Sequence, residues 1–317
     1  MVLTDKEYNI FTKLLGMNDE ALLKTMIHFF TKYYKKEDII ACKDFVCVKG
    51  GIPVTLVAHV DTVFPQWPSQ ESFFYDRKKN VMWSCEGAGF DDRAGIYLIT
   101  KIIREGLLPN IILTTGEESG GTGANKLISK YPKPFAPMNY IIELDRQGKE
   151  DCVFYYCDNK AFKFYVSSFG FKEDFGTFTD ISIICPHWGI AGVNFSVGYV
   201  NEHSYCEHLY IDYMELTFKR VCAMLRVARD VNEPFKYVHY LNDTSGIKCA
   251  CCGRNYLDED VYPVMRANSV KKEMFCIDCI SEKVEWCKKC GEPFEIPNDQ
   301  PAQTLCPKCI EEAAKDD

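Results

Sequence analysis

The stretch VTLVAHVDTV, residues 54–63, decides the fold. Its first part, Val54–His59, is a short apolar run that suits a strand buried on both faces. The run ends on a histidine, and Asp61 follows two residues later. Residues two apart on a strand share a face, so Asp61 can accept a hydrogen bond from the His59 ring. That fixes the tautomer and leaves the other ring nitrogen for a metal. Taken alone, His-x-Asp reads equally well as a surface turn.

Outward from this run, strands and helices alternate. Ile111–Thr115, Tyr140–Leu144, Phe162–Ser167 and Val193–Val197 read as further strands. Ala94–Arg104 and Thr122–Lys130 read as helices, and Tyr213–Val231 as a long closing helix. Before them, Thr4 and Glu7 form a capping box, and Asn18-Asp19-Glu20 opens a second helix running to Tyr33. The alternation predicts an α/β domain with a mostly parallel central sheet and helices on both faces. Ligands of such sheets bind at the carboxyl ends of the strands.

The polar clusters fall at those ends. GFDDRAG (89–95) is a glycine-flanked turn opening a helix. Its acids suit a simple N-cap, or a carboxylate bridging two closely held cations. TTGEESGG (114–121) presents adjacent glutamates that project differently, one suited to a metal and one to a proton, or both to a solvated loop. Asp145 ends the strand Tyr140–Leu144. His203 lies in GYVNEHS (198–204), so two of the six histidines occupy strand-end positions.

In this order, AHVDTV, GFDDRAG, TGEESGGTGA, ELD and NEHSYCE resemble the clan of co-catalytic zinc exopeptidases. That clan includes leucyl-type bacterial aminopeptidases, peptidase T and glutamate carboxypeptidases. The resemblance spans about residues 50–225, and Thr179-Asp180 with Gly189–Val193 looks like the clan's late segment. It implies that His59 and Asp145 bind one zinc, Glu118 and His203 the other, and that Asp91 bridges both. It further implies that Asp61 orients His59, that Glu117 is the general base, and that the Asp91-Asp92 peptide is cis. Two such cations about 3.5–4 Å apart polarise a carbonyl and bring a water to a pKa of about 7. Cobalt and manganese take similar donors.

The sequence departs from the clan in one respect. Only 31 residues separate His59 from Asp91, and 34 separate Asp145 from Asp180, so no inserted lid or dimerisation domain fits. Substrate contacts that a lid supplies in relatives must come from the tail, from a second subunit, or be missing. Glu207 and His208 lie near His203 and read as substrate contacts or as surface or core residues. His28 and His187 sit in helical apolar patterns and read as structural.

The tail changes character at Asp243-Thr244-Ser245-Gly246, which predicts a hydrolase domain over 1–241 and a separate module over 246–317. Of 17 cysteines, nine crowd into 249–309. Cys249/Cys252 with Cys276/Cys279, and Cys287/Cys290 with Cys306/Cys309, are Cys-x-x-Cys knuckles suited to two structural zinc ions. Gly253, Gly291 and Pro307 give them the look of tandem zinc-ribbon or treble-clef modules. The expected pairing is sequential, with a crossed RING-like pairing as the alternative, and Cys251 is left over. So small a module should take most of its stability from metal. It suits a protein partner or a purely structural appendage.

Composition narrows the classes. The formal net charge is −8. From Gly246 onward the module carries 10 Lys and Arg against 14 Asp and Glu, which argues against a nucleic-acid partner. No apolar run is long enough to span a bilayer, and MVLTDKEYNI lacks the pattern of a secretory leader, so the expected location is cytoplasmic. Three readings follow. The first is an aminopeptidase acting on short peptides. The second is an amidohydrolase or deacylase of a small N-acyl compound, and the third an adaptor that uses the hydrolase fold as a scaffold.

Overall fold

The computed structural model describes residues 2–239, 247–253, 255–256, 261–267, 269–296 and 303–313. The chain divides into two compact units, Met1–His239 and Tyr240–Asp317.

The strands of the first unit are β1 (Ile39–Ala41), β2 (Phe45–Val48), β3 (Ile52–His59), β4 (Phe73–Asp76), β5 (Val81–Ser84) and β6 (Pro109–Thr114). They continue as β7 (Tyr140–Arg146), β8 (Asp151–Val153), β9 (Lys172–Glu173), β10 (Gly192–Ser196), β11 (Tyr199–Val200) and β12 (His208–Tyr210). Its helices are α1 (Asp5–Leu15), α2 (Asp19–Phe30), α3 (Phe90–Arg104), α4 (Thr122–Lys130), α5 (Lys160–Ser167), α6 (Asp180–Trp188) and α7 (Ile211–Arg226).

Eight strands form one sheet in the order β1-β2-β6-β3-β7-β10-β8-β9. Its centre, β6-β3-β7-β10, is parallel throughout, while β2 and β8 join it antiparallel. Side-chain alternation on these strands builds two cores. Val54, Leu56 and Ala58 of β3, with Tyr140, Ile142 and Leu144 of β7, pack with α1, α2, α3 and α7. Val57 and Ile141 point the other way, against Ala124 and Leu127 of α4 and Ile181 and Ile184 of α6. Each fully buried aliphatic chain contributes roughly 1.5–3 kcal/mol, so the doubly covered centre is the rigid part of the unit. All four central strands run the same way, and their carboxyl ends, at His59, Thr114, Arg146 and Ser196, lie along one edge.

The amino-terminal caps take the expected form. Thr4 Oγ1 accepts the Glu7 N–H at 3.2 Å, Glu7 reaches back to the Thr4 N–H at 2.9 Å, and Asn18 caps α2. Two expectations need correction. Residues 160–167 form helix α5, not a strand: Asn159 Oδ1 caps it by accepting the Phe162 N–H at 3.0 Å. The helix buries Phe162 and Val166 and leaves Phe164 exposed. The segment between His59 and Asp91 holds no inserted domain but does hold the hairpin β4–β5. With β11 and β12 it makes a small antiparallel sheet. His28 and His187 do lie on α2 and α6, but on their solvent faces.

The second unit contains a four-stranded sheet and two short helices, Ile277–Lys283 and Pro307–Ala313. Val261–Met265 and Lys272–Cys276 form an antiparallel hairpin at one side of that sheet. Among the described residues no helix is long and apolar enough to cross a membrane.

Candidate metal centre

His59 is the last residue of β3 and is 1% exposed. Its Nδ1 donates to the Asp61 backbone carbonyl at 3.1 Å. The other ring nitrogen, Nε2, faces Asp91 Oδ1 at 3.2 Å and Asp145 Oδ1 at 3.5 Å. The other Asp91 oxygen, Oδ2, lies 3.1 Å from His203 Nε2, which is 3.0 Å from Glu118 Oε2. His59, Asp91 and Asp145 thus form one group of mutually close donor atoms, and Asp91, Glu118 and His203 a second. Asp91 belongs to both.

Asp91 is held from behind. The Asp91-Asp92 peptide is cis, and both residues leave helical torsions, so regular α3 begins beyond them. The N-cap reading applies to Asp92, whose Oδ1 accepts the Gly95 N–H at 3.1 Å. Its Oδ2 accepts the His59 N–H at 3.2 Å. Asp91 is freed for the site, and its own N–H donates to Glu207 Oε1 at 2.9 Å. Gly95 lets α3 press onto β7, because a Cβ there would stand 2.2 Å from Leu144 O.

Asp61 lies beside His59, its Oδ1 3.5 Å from the ring Nδ1, although the chain has left the strand after His59. It also accepts the backbone N–H groups of Gly116, Glu117 and Glu118 at 2.8, 3.3 and 3.2 Å. Asp61 therefore ties the His59 loop to the glutamate loop.

Several supports were not read from the sequence. Thr179 Oγ1 and Tyr199 Oη donate to the two oxygens of Asp145 at 3.0 and 2.9 Å, and Asn194 brackets the Asp145 backbone. Thr114 donates to Asp180. Arg93, 1% exposed, donates to Leu15 O at 2.6 Å, Met17 O at 2.5 Å and Asp19 at 3.1 Å. Arg93, Thr114, Tyr199, Thr179 and Glu207 lie in or beside the quoted segments. Their supporting roles carry no local signal, since the partners are remote in sequence.

The electrostatics are those of a concentrated negative cluster. Burial, then Asp145, pushes Glu117 up to about 9. Burial, then Asp91, pushes Asp145 up to about 7. Contacts with Asp91 and Glu118 lift His203 to about 11. Burial works against protonation of His59, yet Asp145, Asp61 and Asp91 together raise it well above the usual imidazole range. Imidazole nitrogens among converging carboxylate oxygens call for positive charge at their centre, and these donor types suit divalent zinc, cobalt or manganese. Glu118 Oε1, buried and without a partner among the described residues, is a further unused donor. The residues fit two cations. A cleft of about 260 Å³ opens on the group, lined by Asp91, Glu117, Asp145, Arg146, Tyr199 and His203 among others.

In the second unit the eight knuckle sulfurs group sequentially, Cys249, Cys252, Cys276 and Cys279 apart from Cys287, Cys290, Cys306 and Cys309. Sulfurs of a tetrahedral zinc, at Zn–S ≈ 2.3 Å, stand roughly 3.8 Å apart. Cys252 and Cys276 are 3.9 Å apart, and Cys290 and Cys306 3.6 Å. Burial resists ionisation of Cys249, but the N–H groups of Cys252 and Cys276 outweigh it and bring the thiol down to about 7. Cys251 stays outside the quartet.

No protein-family model matches the chain. No curated protein matches it either. Solved structures do. Aminopeptidase PepT from Bacillus cereus ATCC 10987 superposes with TM-score 0.53 at 14% identity, covering 72% of this chain and 99% of that one. A tripeptidase from Staphylococcus aureus subsp. aureus Mu50 gives 0.55 at 13%, covering 73% and 100%. An aminopeptidase from the archaeon Desulfurococcus kamchatkensis gives 0.54 at 12%, covering 72% and 98%. At these identities the likeness is one of fold.

Proposed function

We propose that the first unit is a two-metal peptide hydrolase of the aminopeptidase kind, acting on short peptides. The observation that carries the reading is the placement of Asp91, one oxygen toward His59 and Asp145 and the other toward His203 and Glu118. His59 and Asp145 would hold one cation, Glu118 and His203 the other, and Asp91 both. Each cation would then have three protein donors, which leaves room for water and substrate as in catalytic rather than structural sites. Cations held there supply Lewis acidity toward a substrate carbonyl and lower the pKa of a water.

The remaining chemistry belongs to the chain. Glu117 lines the cleft and does not belong to either donor group. Its high proton affinity without cations falls when positive charge arrives, which readies the carboxylate to accept a proton from water. Glu117 then hands that proton to the leaving amine nitrogen as the C–N bond breaks, so the acid and amine products balance the water consumed. Asp61 holds the Glu117 and Glu118 backbone in place through its three accepted N–H groups. The structural neighbours named above, which are aminopeptidases and a tripeptidase, support this choice over deacylation. The adaptor reading leaves the converged donor set without a use.

In the second unit, the two cysteine quartets would each hold a structural zinc, and the module would serve a protein partner or the unit's own stability. The test is a panel of aminoacyl amides, dipeptides, tripeptides and N-acyl amino acids, run alongside metal analysis. Peptide turnover, with metal beyond what the cysteine quartets take, supports the reading. Turnover of N-acyl compounds alone moves it to a deacylase, and metal confined to the cysteines removes the enzyme.

A further inference from the structure

We propose that Arg146 anchors a carboxylate of the substrate, which makes the cleft selective for short peptides bearing an acid close to the bond cleaved. The inference rests on the peptidase reading above and names its substrate class.

Arg146 is the last residue of β7, one position beyond Asp145, and lines the same cleft as Asp91, Glu117 and His203. Its Nη2 pairs with Asp174, whose side chain is half exposed. Its Nε is buried and has no hydrogen-bond partner among the described residues. A desolvated guanidinium N–H without an acceptor is costly, and the group's planar fork matches a carboxylate better than any neutral acceptor. Gly176 lies against the guanidinium, the position of a Cβ there being 3.4 Å from Arg146 Nη1.

Size and topology agree with this placement. The cleft, about 260 Å³, lies below the ~300 Å³ at which pockets for drug-sized ligands begin, so it suits a short substrate whose end remains within reach of Arg146. No inserted domain stands between Asp145 and Asp180 to supply an anchor. The end of β7 supplies Arg146, and the segment after it Asp174 and Gly176. The carboxylate is either the free carboxyl terminus of the peptide or an acidic side chain.

The test compares wild type, Arg146→Gln and Arg146→Lys on Ala-Ala, Ala-Ala-amide and Ala-Glu-amide. Binding of the uncleavable reduced-bond forms of the same three compounds is measured in parallel by calorimetry. Wild type should favour a carboxylate-bearing compound over Ala-Ala-amide by about 100-fold in kcat/KM, expressed mainly in KM. Arg146→Gln should bring that ratio close to one, and Arg146→Lys should restore part of it. Preference for Ala-Ala identifies the terminal carboxylate as the anchor's partner, and preference for Ala-Glu-amide the side chain. A wild type with no preference, or a variant that loses all three compounds by one common factor, overturns the anchor. If wild type cleaves none of them, the peptidase reading fails, while the calorimetric ratio still decides the role of Arg146.

Discussion

Glu207 Oε1 accepts the backbone N–H of Asp91 at 2.9 Å, across 116 residues of chain. The carboxyl is 1% exposed, and burial pushes it up to about 8. One buried acid thus fixes the backbone of the residue shared by both donor groups, without joining either group.

Glu207→Ala removes that acceptor, and metal affinity of the first unit should fall about 10–100-fold. Glu207→Gln keeps an acceptor oxygen and should stay near wild type. Competition titrations with a chelating dye measure both. Equal affinities for the two variants would show that the contact does not position Asp91.

Glu117→Gln should keep both cations of the first unit and lose turnover by roughly 10²–10⁴-fold. Metal analysis and steady-state kinetics on one preparation read the two effects separately. Full activity in the variant removes Glu117 as the base.

Much of this site was legible because its residues stand at the ends of buried strands, where a run such as VTLVAH stops and a polar group begins. Geometry beyond the strand was not legible. Asp61 stands beside the His59 ring, but its three bonds to the glutamate loop have no local signature, since only the fold brings that loop to its carboxylate. The misread helix α5 shows a second limit. Phe162, Phe164 and Val166 alternate as in a strand, while Phe162 and Val166 also stand four apart as on a helix face. Asn159, which caps the helix by accepting the Phe162 N–H, is what distinguishes the two. Tyr199, Thr179 and Arg93 act through partners dozens of residues away, which no local pattern encodes.

Arg93 joins the start of α3 to the end of α1 through main-chain carbonyls of Leu15 and Met17. Arg93→Ala strands these buried acceptors and should cost at least about 3 kcal/mol. Arg93→Lys recovers only part, because one ammonium cannot replace the fork. Urea unfolding with unchanged m-values reads the difference, and a loss below about 1 kcal/mol would show that the contacts are incidental.

The sequential grouping of sulfurs makes each cysteine quartet independent of the other. Cys276→Ala should remove one metal ion per chain, Cys306→Ala another, and the double variant both. Native mass spectrometry counts them. Loss of both ions from either single substitution contradicts the grouping.

The bridging role of Asp91 is tested most directly by anomalous diffraction from zinc-loaded crystals, recorded on both sides of the zinc edge. Besides the peaks of the cysteine quartets, the account predicts two peaks about 3.5–4 Å apart, one beside each Asp91 oxygen. A single peak at Asp91, or none there, would contradict it.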